Sequence, residues 1–258
     1  MEKSRYSNQT LVFRDIIAAQ GGIENWSKIN KITLTLSFGG LAFLSRFKTS
    51  GWQERRVHVE LGQQSVRFDD FPRHGYTGYY TPDRVWIDNE YNTTIAENSD
   101  SREKMKRFKS QLFWSQLDLL YFAGYAIWNY TLIPYLFLQE GFKIVNTNLD
   151  GVDEPRYVEI EFPDHIHSHC RMQKFYLNNK MQIYRHDYDP EVYASWAKAA
   201  HFCDKYIQFD DILLPIERYV VPRGSDGKAA KGPRLVWISI KHVSISYKSS
   251  SENLGNLV

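Results

Sequence analysis

The residues best equipped for chemistry are histidines, tyrosines and one aspartate. His165-Ile166-His167-Ser168-His169-Cys170 sets three imidazoles at alternate positions. On a strand they would share a face, a spacing that a transition metal could use if a carboxylate or a further histidine converged. Pro163-Asp164 just ahead favours a turn, so the plainer reading is two loop histidines followed by one strand histidine, His169, and no metal site is expected. In Arg185-His186-Asp187-Tyr188, alternation sends Arg185 and Asp187 to one face and His186 and Tyr188 to the other. If His186 and Tyr188 face inward beside His169, an imidazole that titrates near neutrality and a phenol that donates a hydrogen bond form a proton-transfer set. The alternative is an edge strand with a solvated Arg185–Asp187 pair and packed aromatics.

The stretch Trp114–Tyr130 reads as a helix on which Asp118, Tyr121, Tyr125 and Trp128 fall at i, i+3, i+7 and i+10, one aromatic stripe with a carboxylate in it. A lone buried carboxylate is costly, so Asp118 is either tied to a basic partner or poised as a general acid or base. His201 could reach over a cavity mouth together with Tyr206 or lie on the surface, and Cys203 lacks the basic neighbour that would make a reactive thiolate. The candidate acid–base set is therefore Asp118, His169, His186 and Tyr188. The candidate ligand-contacting set is Trp114, Tyr121, Phe122, Tyr125, Trp128, Tyr176 and His201.

Elements must exist to position these groups. Thr10–Gln20 reads as a helix with Leu11, Ile16 and Ala19 on one face, stopped by Gly21-Gly22, and a second short helix covers 23–29. Period-two segments follow at 32–37, Leu41–Lys48, Gln53–Leu61 (Arg55, Val57 and Val59 on one face), Gln64–Asp69, Arg84–Asn89 and Thr93–Glu97. Pro72, Gly75 and Gly78 mark a loop. Ser101–Phe108 and Trp114–Tyr130 form a helical middle, and Pro134 separates Tyr135–Leu138 from it. Strands resume at Lys143–Asp150, Arg156–Phe162, His169–Leu177 and Met181–Tyr188, with Asn178-Asn179 as a hairpin turn. Pro190–Ala200 reads as irregular or briefly helical ahead of two last strands, Pro215–Pro222 and Arg234–Tyr247. Strands on both sides of a helical middle favour one domain over 1–248, with 249–258 a disordered tail.

Composition bounds the rest. Of 258 residues, 43% are apolar and 24% charged, an ordinary globular balance, while 17 Tyr, 15 Phe and 7 Trp lean towards strands and an internal binding surface. Net charge is +2, and the basic run at 102–109 is local, so no nucleic-acid partner is expected. Leu112–Leu138 is apolar enough to span a bilayer, but it contains Gln116, Asp118 and Asn129, which favours a buried core helix over stable membrane insertion. Met1–Tyr6 has no apolar signal core, and Cys170 and Cys203 read as reduced thiols, so a cytoplasmic protein is expected. There is no phosphate loop, nucleophile elbow, Cys-x-x-Cys or dinucleotide fingerprint, and no cofactor is expected.

Ala18-Ala19-Gln20-Gly21-Gly22-Ile23-Glu24-Asn25-Trp26, opening into a long strand, resembles the start of lipoprotein-sorting (LolA/LolB-like) half-barrel proteins. Tyr121–Tyr130, Phe162-Pro163-Asp164 with His169, Phe175-Tyr176, Arg185–Tyr188 and Phe209–Pro215 resemble a widespread bacterial family of hypothetical proteins of about this length. The resemblance implies an α+β fold in which a strongly curved antiparallel sheet, a half-barrel, wraps a central apolar helix and encloses an apolar ligand. It does not specify chemistry. The expected function is binding of a hydrophobic or aromatic small molecule in that cavity. The alternative is a cofactor-independent isomerase, cyclase or lyase using the acid–base set in the same place.

Overall fold

The computed structural model describes residues 2–48, 53–107, 112–152, 154–192, 194 and 197–249, with the side chains of 2–8 excepted. Helix α1 (Glu2–Ala18) and α2 (Ile23–Ser27) lead into β1 (Ile29–Gly39), α3 (Leu41–Leu44) and five strands: β2 (Arg55–Glu60), β3 (Ser65–Asp69), β4 (Thr77–Tyr80), β5 (Val85–Asp88) and β6 (Thr94–Asn98). Then come α4 (Ser101–Met105), α5 (Gln116–Leu132) and a 3-10 turn at Tyr135–Leu138. The chain returns through β7 (Lys143–Asn148), β8 (Tyr157–Glu161), β9 (Met172–Leu177), β10 (Ile183–Tyr188), β11 (Ala199–Phe209), β12 (Ile212–Pro222) and β13 (Val236–Tyr247).

All 13 strands form one open sheet in the order β6-β5-β4-β3-β2-β1-β13-β12-β11-β10-β9-β8-β7. Every neighbouring pair is antiparallel. The chain thus starts in the middle, meanders out to β6, crosses to the far edge at β7, and meanders back until β13 pairs with β1. The crossover carries α5, which is why the long helix lies over the sheet and not beside it. Laid flat, the sheet would be roughly 58 Å wide at about 4.8 Å per strand, more than twice the roughly 26 Å length of α5. Yet α5 touches both halves. Tyr121 packs on Tyr80 of β4 with ring centroids 5.8 Å apart, and Tyr130 packs on His201 of β11 at 4.4 Å. The sheet therefore curls around the helix as a half-barrel.

Helix α5 begins at a capping box. Ser115 accepts from the backbone N–H of Asp118, and the Asp118 carboxylate accepts from the Ser115 N–H and hydroxyl, each at 2.7 Å. Every residue from Asp118 to Leu132 is buried, so the helix is enclosed all round and has no single inward stripe. Among the described residues no helix is long and apolar enough to cross a membrane. The helix lies closest to β2–β6. Gly124 makes this approach possible, since a Cβ there would overlap the ring of Tyr80. Gly78 of β4 plays the matching part, because a Cβ at that position would meet Phe71 and Leu120.

Several local expectations are corrected. Leu41–Leu44 is a helical turn and not a strand, because Gly40 at φ 127 turns the chain and Leu-Ala-rich residues wind readily. Thr77–Tyr80, expected as loop, is β4, its Gly78 serving close packing rather than a turn. Ala199–Phe209, expected in part as irregular, is a full strand, hidden because its inward positions are small or polar and joined to β12 by a turn with Asp210 at φ 47. On α1 the buried face is Phe13, Ile16 and Ile17, with Gln20 buried just past the helix, and Leu11 faces outward. His169 precedes β9 in a loop, and the expected tail, apart from Ser249, lies outside the described residues.

Candidate functional site

The inner half of the sheet carries a buried polar cluster against the C-terminal half of α5. Strand parity builds it. His186 and Tyr188 face inward on β10, His201 and Cys203 on β11, and Arg218 with Leu214 and Val220 on β12. His169 enters from the β8–β9 loop, whose base is closed by the Phe162 N–H donating to the Arg171 carbonyl at 2.8 Å. From the helix come Phe122, Tyr125 and Tyr130.

His169 is held at both ring nitrogens, Nδ1 at 3.0 Å from the Tyr125 hydroxyl and Nε2 at 2.5 Å from that of Tyr130. Burial, then the charge of Arg102, pushes its pKa down to about 3. The ring is therefore neutral, with one nitrogen donating and one accepting, so one tyrosine must donate to it and the other accept from it. Tyr130 also reaches the Tyr188 hydroxyl at 3.0 Å, and the Tyr188 ring stacks on His169 at 4.1 Å. His186 bonds Oε1 of Gln173 through Nε2 at 2.5 Å and stacks on Phe175. Burial is the main cause that holds the His186 imidazole well below its usual range, with His169 and Arg218 adding to it. His201 is 0% exposed, and neither of its ring nitrogens has a hydrogen-bond partner among the described residues. Burial, followed by the charge of Arg218, keeps it neutral as well.

The structure thus brings together His169, His186, Tyr188 and His201 with Phe122 and Tyr125. It does not bring Asp118 to them. The carboxylate of Asp118 is the capping group at the start of α5, with its second oxygen 3.6 Å from Nζ of Lys104. It stands about 18 Å along the helix axis from Tyr130 and about 10 Å from Tyr125. Trp114 packs on Phe43 and Phe122 under the Arg46 guanidinium. Tyr121 bonds Arg102 and His167, and burial raises its pKa to about 12. Trp128 donates to the Glu60 and Gln63 carbonyls at 2.8 and 3.0 Å, on the β2–β3 side of the helix. Tyr176 lies on the outer face of β9, in a cross-strand row with Tyr157, Arg185, Phe202, Tyr219 and Trp237. The His165, His167 and His169 side chains part company: the first is exposed, the second half-buried against Tyr121, the third in the cluster. Among the described residues no group of three or more potential ligands could hold a metal ion.

Sequence reasoning missed Tyr130, Gln173 and Arg218. Arg218 had a visible signal, a charge at the same strand parity as Leu214 and Val220. Tyr130 had none, because on a helix buried all round the spacing does not single out one face.

Beside this cluster the helix and the middle strands meet along an apolar seam. A void of about 20 Å³ is lined by Leu34, Leu36, Ile127, Leu214, Ile238 and Ile240, with Tyr130 and Arg218 at its polar end. Tyr130 and Arg218 also wall a second void of about 10 Å³ beside His186, Cys203 and Tyr206.

No family model and no curated protein matches the chain. Similar solved structures include a LolA superfamily protein from Nitrosomonas europaea (8% identity, 87% of this chain and 89% of that chain, TM-score 0.46). A putative outer membrane lipoprotein-sorting protein domain from Vibrio parahaemolyticus is 11% identical over 96% of this chain and 97% of that chain, with a TM-score of 0.47. A DUF1329 family protein from Desulfovibrio piger is 9% identical over the same shares, also at 0.47. The half-barrel assignment rests on the strand order and on the place of α5 within the sheet.

Proposed function

We propose that the protein binds a hydrophobic small molecule between α5 and the middle strands β1, β12 and β13. The observation that carries this reading is the apolar seam lined by Leu34, Leu36, Ile127, Leu214, Ile238 and Ile240. In the free protein the seam has room for about one water, so a ligand enters by widening it. The fold supports widening on this side. Gly78, Gly124 and Trp128 fasten α5 to β4 and to the β2–β3 turn, whereas the seam, crossed at one place by the bond from Arg218 to the Tyr130 carbonyl, is otherwise lined mainly by aliphatic side chains that a ligand can replace contact for contact. Apolar area removed from water then supplies roughly 25 cal/mol per Å², and the Tyr130 ring in the seam wall can pack on an aromatic ligand as well as on an aliphatic one.

The test is titration with a neutral, apolar naphthylamine fluorophore. Saturable enhancement at one site is expected, weakened at least about tenfold in Ile240→Trp, which fills the seam from its half-buried wall. Absence of saturable uptake, or an unchanged affinity in Ile240→Trp, overturns the reading. The convergence of His169, His186 and Tyr188 supports a second reading, acid–base catalysis on a molecule held in the same interior. Its mark would be turnover of a bound compound that His169→Ala abolishes while binding survives.

A further inference from the structure

Arg218 is only 8% exposed and points from β12 towards the end of α5. One of its nitrogens, Nη2, donates to the main-chain oxygen of Tyr130 at 2.5 Å. That carbonyl would ordinarily accept from the residue four ahead, which is Pro134 and has no N–H. Arg218 therefore caps the helix, and the negative end of the α5 dipole offsets part of its charge. The capping role does not use up the guanidinium. Nη1 donates to Sγ of Cys203 at 2.9 Å, a weak acceptor that burial keeps as the neutral thiol. The remaining face of the group lies over the Tyr130 ring, 5.3 Å from its centroid. Among the described residues Arg218 forms no ion pair with a carboxylate, and a buried cation without an anion is costly.

His201 is its neighbour on the sheet face. Cys203 pairs with Arg218 across β11 and β12, and His201 lies two residues along β11 from Cys203, hence on the same side. Among the described residues neither ring nitrogen of His201 has a hydrogen-bond partner. Tyr130, His186 and Tyr188 face it through ring contacts, and none of them hydrogen-bonds to it. Two buried groups thus stand side by side with unused donors, one a fixed cation and one a neutral N–H. Arg218 walls both the apolar seam and the second small void, while His201 lies behind the Tyr130 ring that walls both.

We propose that the ligand is a single-chain amphiphile with a carboxylate head, its oxygens held by Arg218 and His201 and its tail lying along Leu34, Leu36, Ile127, Leu214, Ile238 and Ile240. The assignment rests on the hydrophobic-ligand reading above and adds the class of head group. A carboxylate is planar and matches the guanidinium fork. It is also compact, although the void of about 10 Å³ beside Arg218, lined by Ile133, Phe175 and Ile183 as well as by polar groups, holds no more than about one water, so the head, like the tail, enters by widening. The tail meets mainly aliphatic neighbours, with Thr131, whose hydroxyl already donates to the Ile127 carbonyl, beside them, until it reaches the half-buried Ile240.

The experiment is displacement of the neutral fluorophore from the full chain by dodecanoate and by dodecanol, which share a tail and differ in the head. Dodecanoate is expected to displace at a concentration at least about tenfold lower than dodecanol, the scale of a charge-assisted pair. In Arg218→Gln the two should converge to within about twofold, each competition being referred to that variant's own fluorophore affinity. Arg218→Lys keeps the charge and should keep the preference for the acid. If the fluorophore does not bind, the hydrophobic-ligand reading falls and the head-group assignment with it. If it binds and the acid has no advantage over the alcohol, or the advantage survives in Arg218→Gln, the head-group assignment alone is overturned. The comparison on the unaltered protein decides the matter even if Arg218→Gln does not fold.

Discussion

Among the described residues both ring nitrogens of His201 are buried without a hydrogen-bond partner, and that has a measurable consequence. An imidazole with two unpaired nitrogens at 0% exposure costs the free protein about 1–3 kcal/mol relative to an apolar ring of similar shape. His201→Phe is therefore expected to stabilise the protein by about 1 kcal/mol or more in urea unfolding; a destabilised variant would mean that the ring has a partner in solution. The histidines also set the response to acid. Unfolded imidazoles take up protons around the usual value of 6.5, whereas in the folded protein His169 does so only at about 3 and His167 at about 4. His186 and His201 are likewise held well below 6.5. Below pH 6.5 the unfolded chain thus binds more protons than the folded one, and stability falls as pH drops through that window. The slope approaches about 1.4 kcal/mol per pH unit for each histidine concerned. Urea midpoints measured at about pH 7.5 and about pH 5 should differ steeply, and a flat profile would refute the neutral, buried state of the cluster.

Helix α5 is where the fold is most exacting. Its capping box pairs Ser115 with Asp118, so the structure assigns Asp118 to the helix cap and not to the histidines, a role that the reading of Asp118 as paired or catalytic did not include. Gly124 is the position that sets the depth of the helix. Gly124→Ala would gain about 1 kcal/mol of helix propensity in isolation. In the protein the added methyl overlaps Tyr80, and overpacking of this kind costs about 1–3 kcal/mol. Net destabilisation is expected, partly relieved when Tyr80→Leu is combined with it; thermal melts of the two single variants and the double variant measure the coupling. An additive result would show that the ring does not limit the approach.

The molecule as a whole should behave as one cooperative unit. The β1–β13 pairing joins the first and last strands at the centre of the sheet. Helix α5 is bonded to the β2–β3 turn through Trp128 and to β12 through Arg218. Neither half of the half-barrel can lose its strands without exposing the same helix. Tryptophan fluorescence and far-ultraviolet dichroism are therefore expected to report coincident urea transitions. Two separated transitions would mean that the halves fold independently.

Much of this organisation was written locally. Alternation along β1, β2, β10 and β12 and the glycine stop after α1 are short-range patterns, set by neighbours within a few residues, and they delimit those elements without any knowledge of the fold. Strands on both sides of a long apolar helix already implied a single sheet around it. The inward parity of His186 and Tyr188 was legible too, because period two fixes the face once one strand neighbour is known to be buried. What the sequence could not decide was which inward residues meet. Tyr130 joins His169 only because the crossover lays α5 across the sheet, and Arg218 becomes a buried cation only because β13 returns to β1 and closes the centre over it. These contacts link positions 39 and 88 residues apart, and no local period encodes a pairing at that distance; it is fixed by strand order, which only the tertiary structure sets.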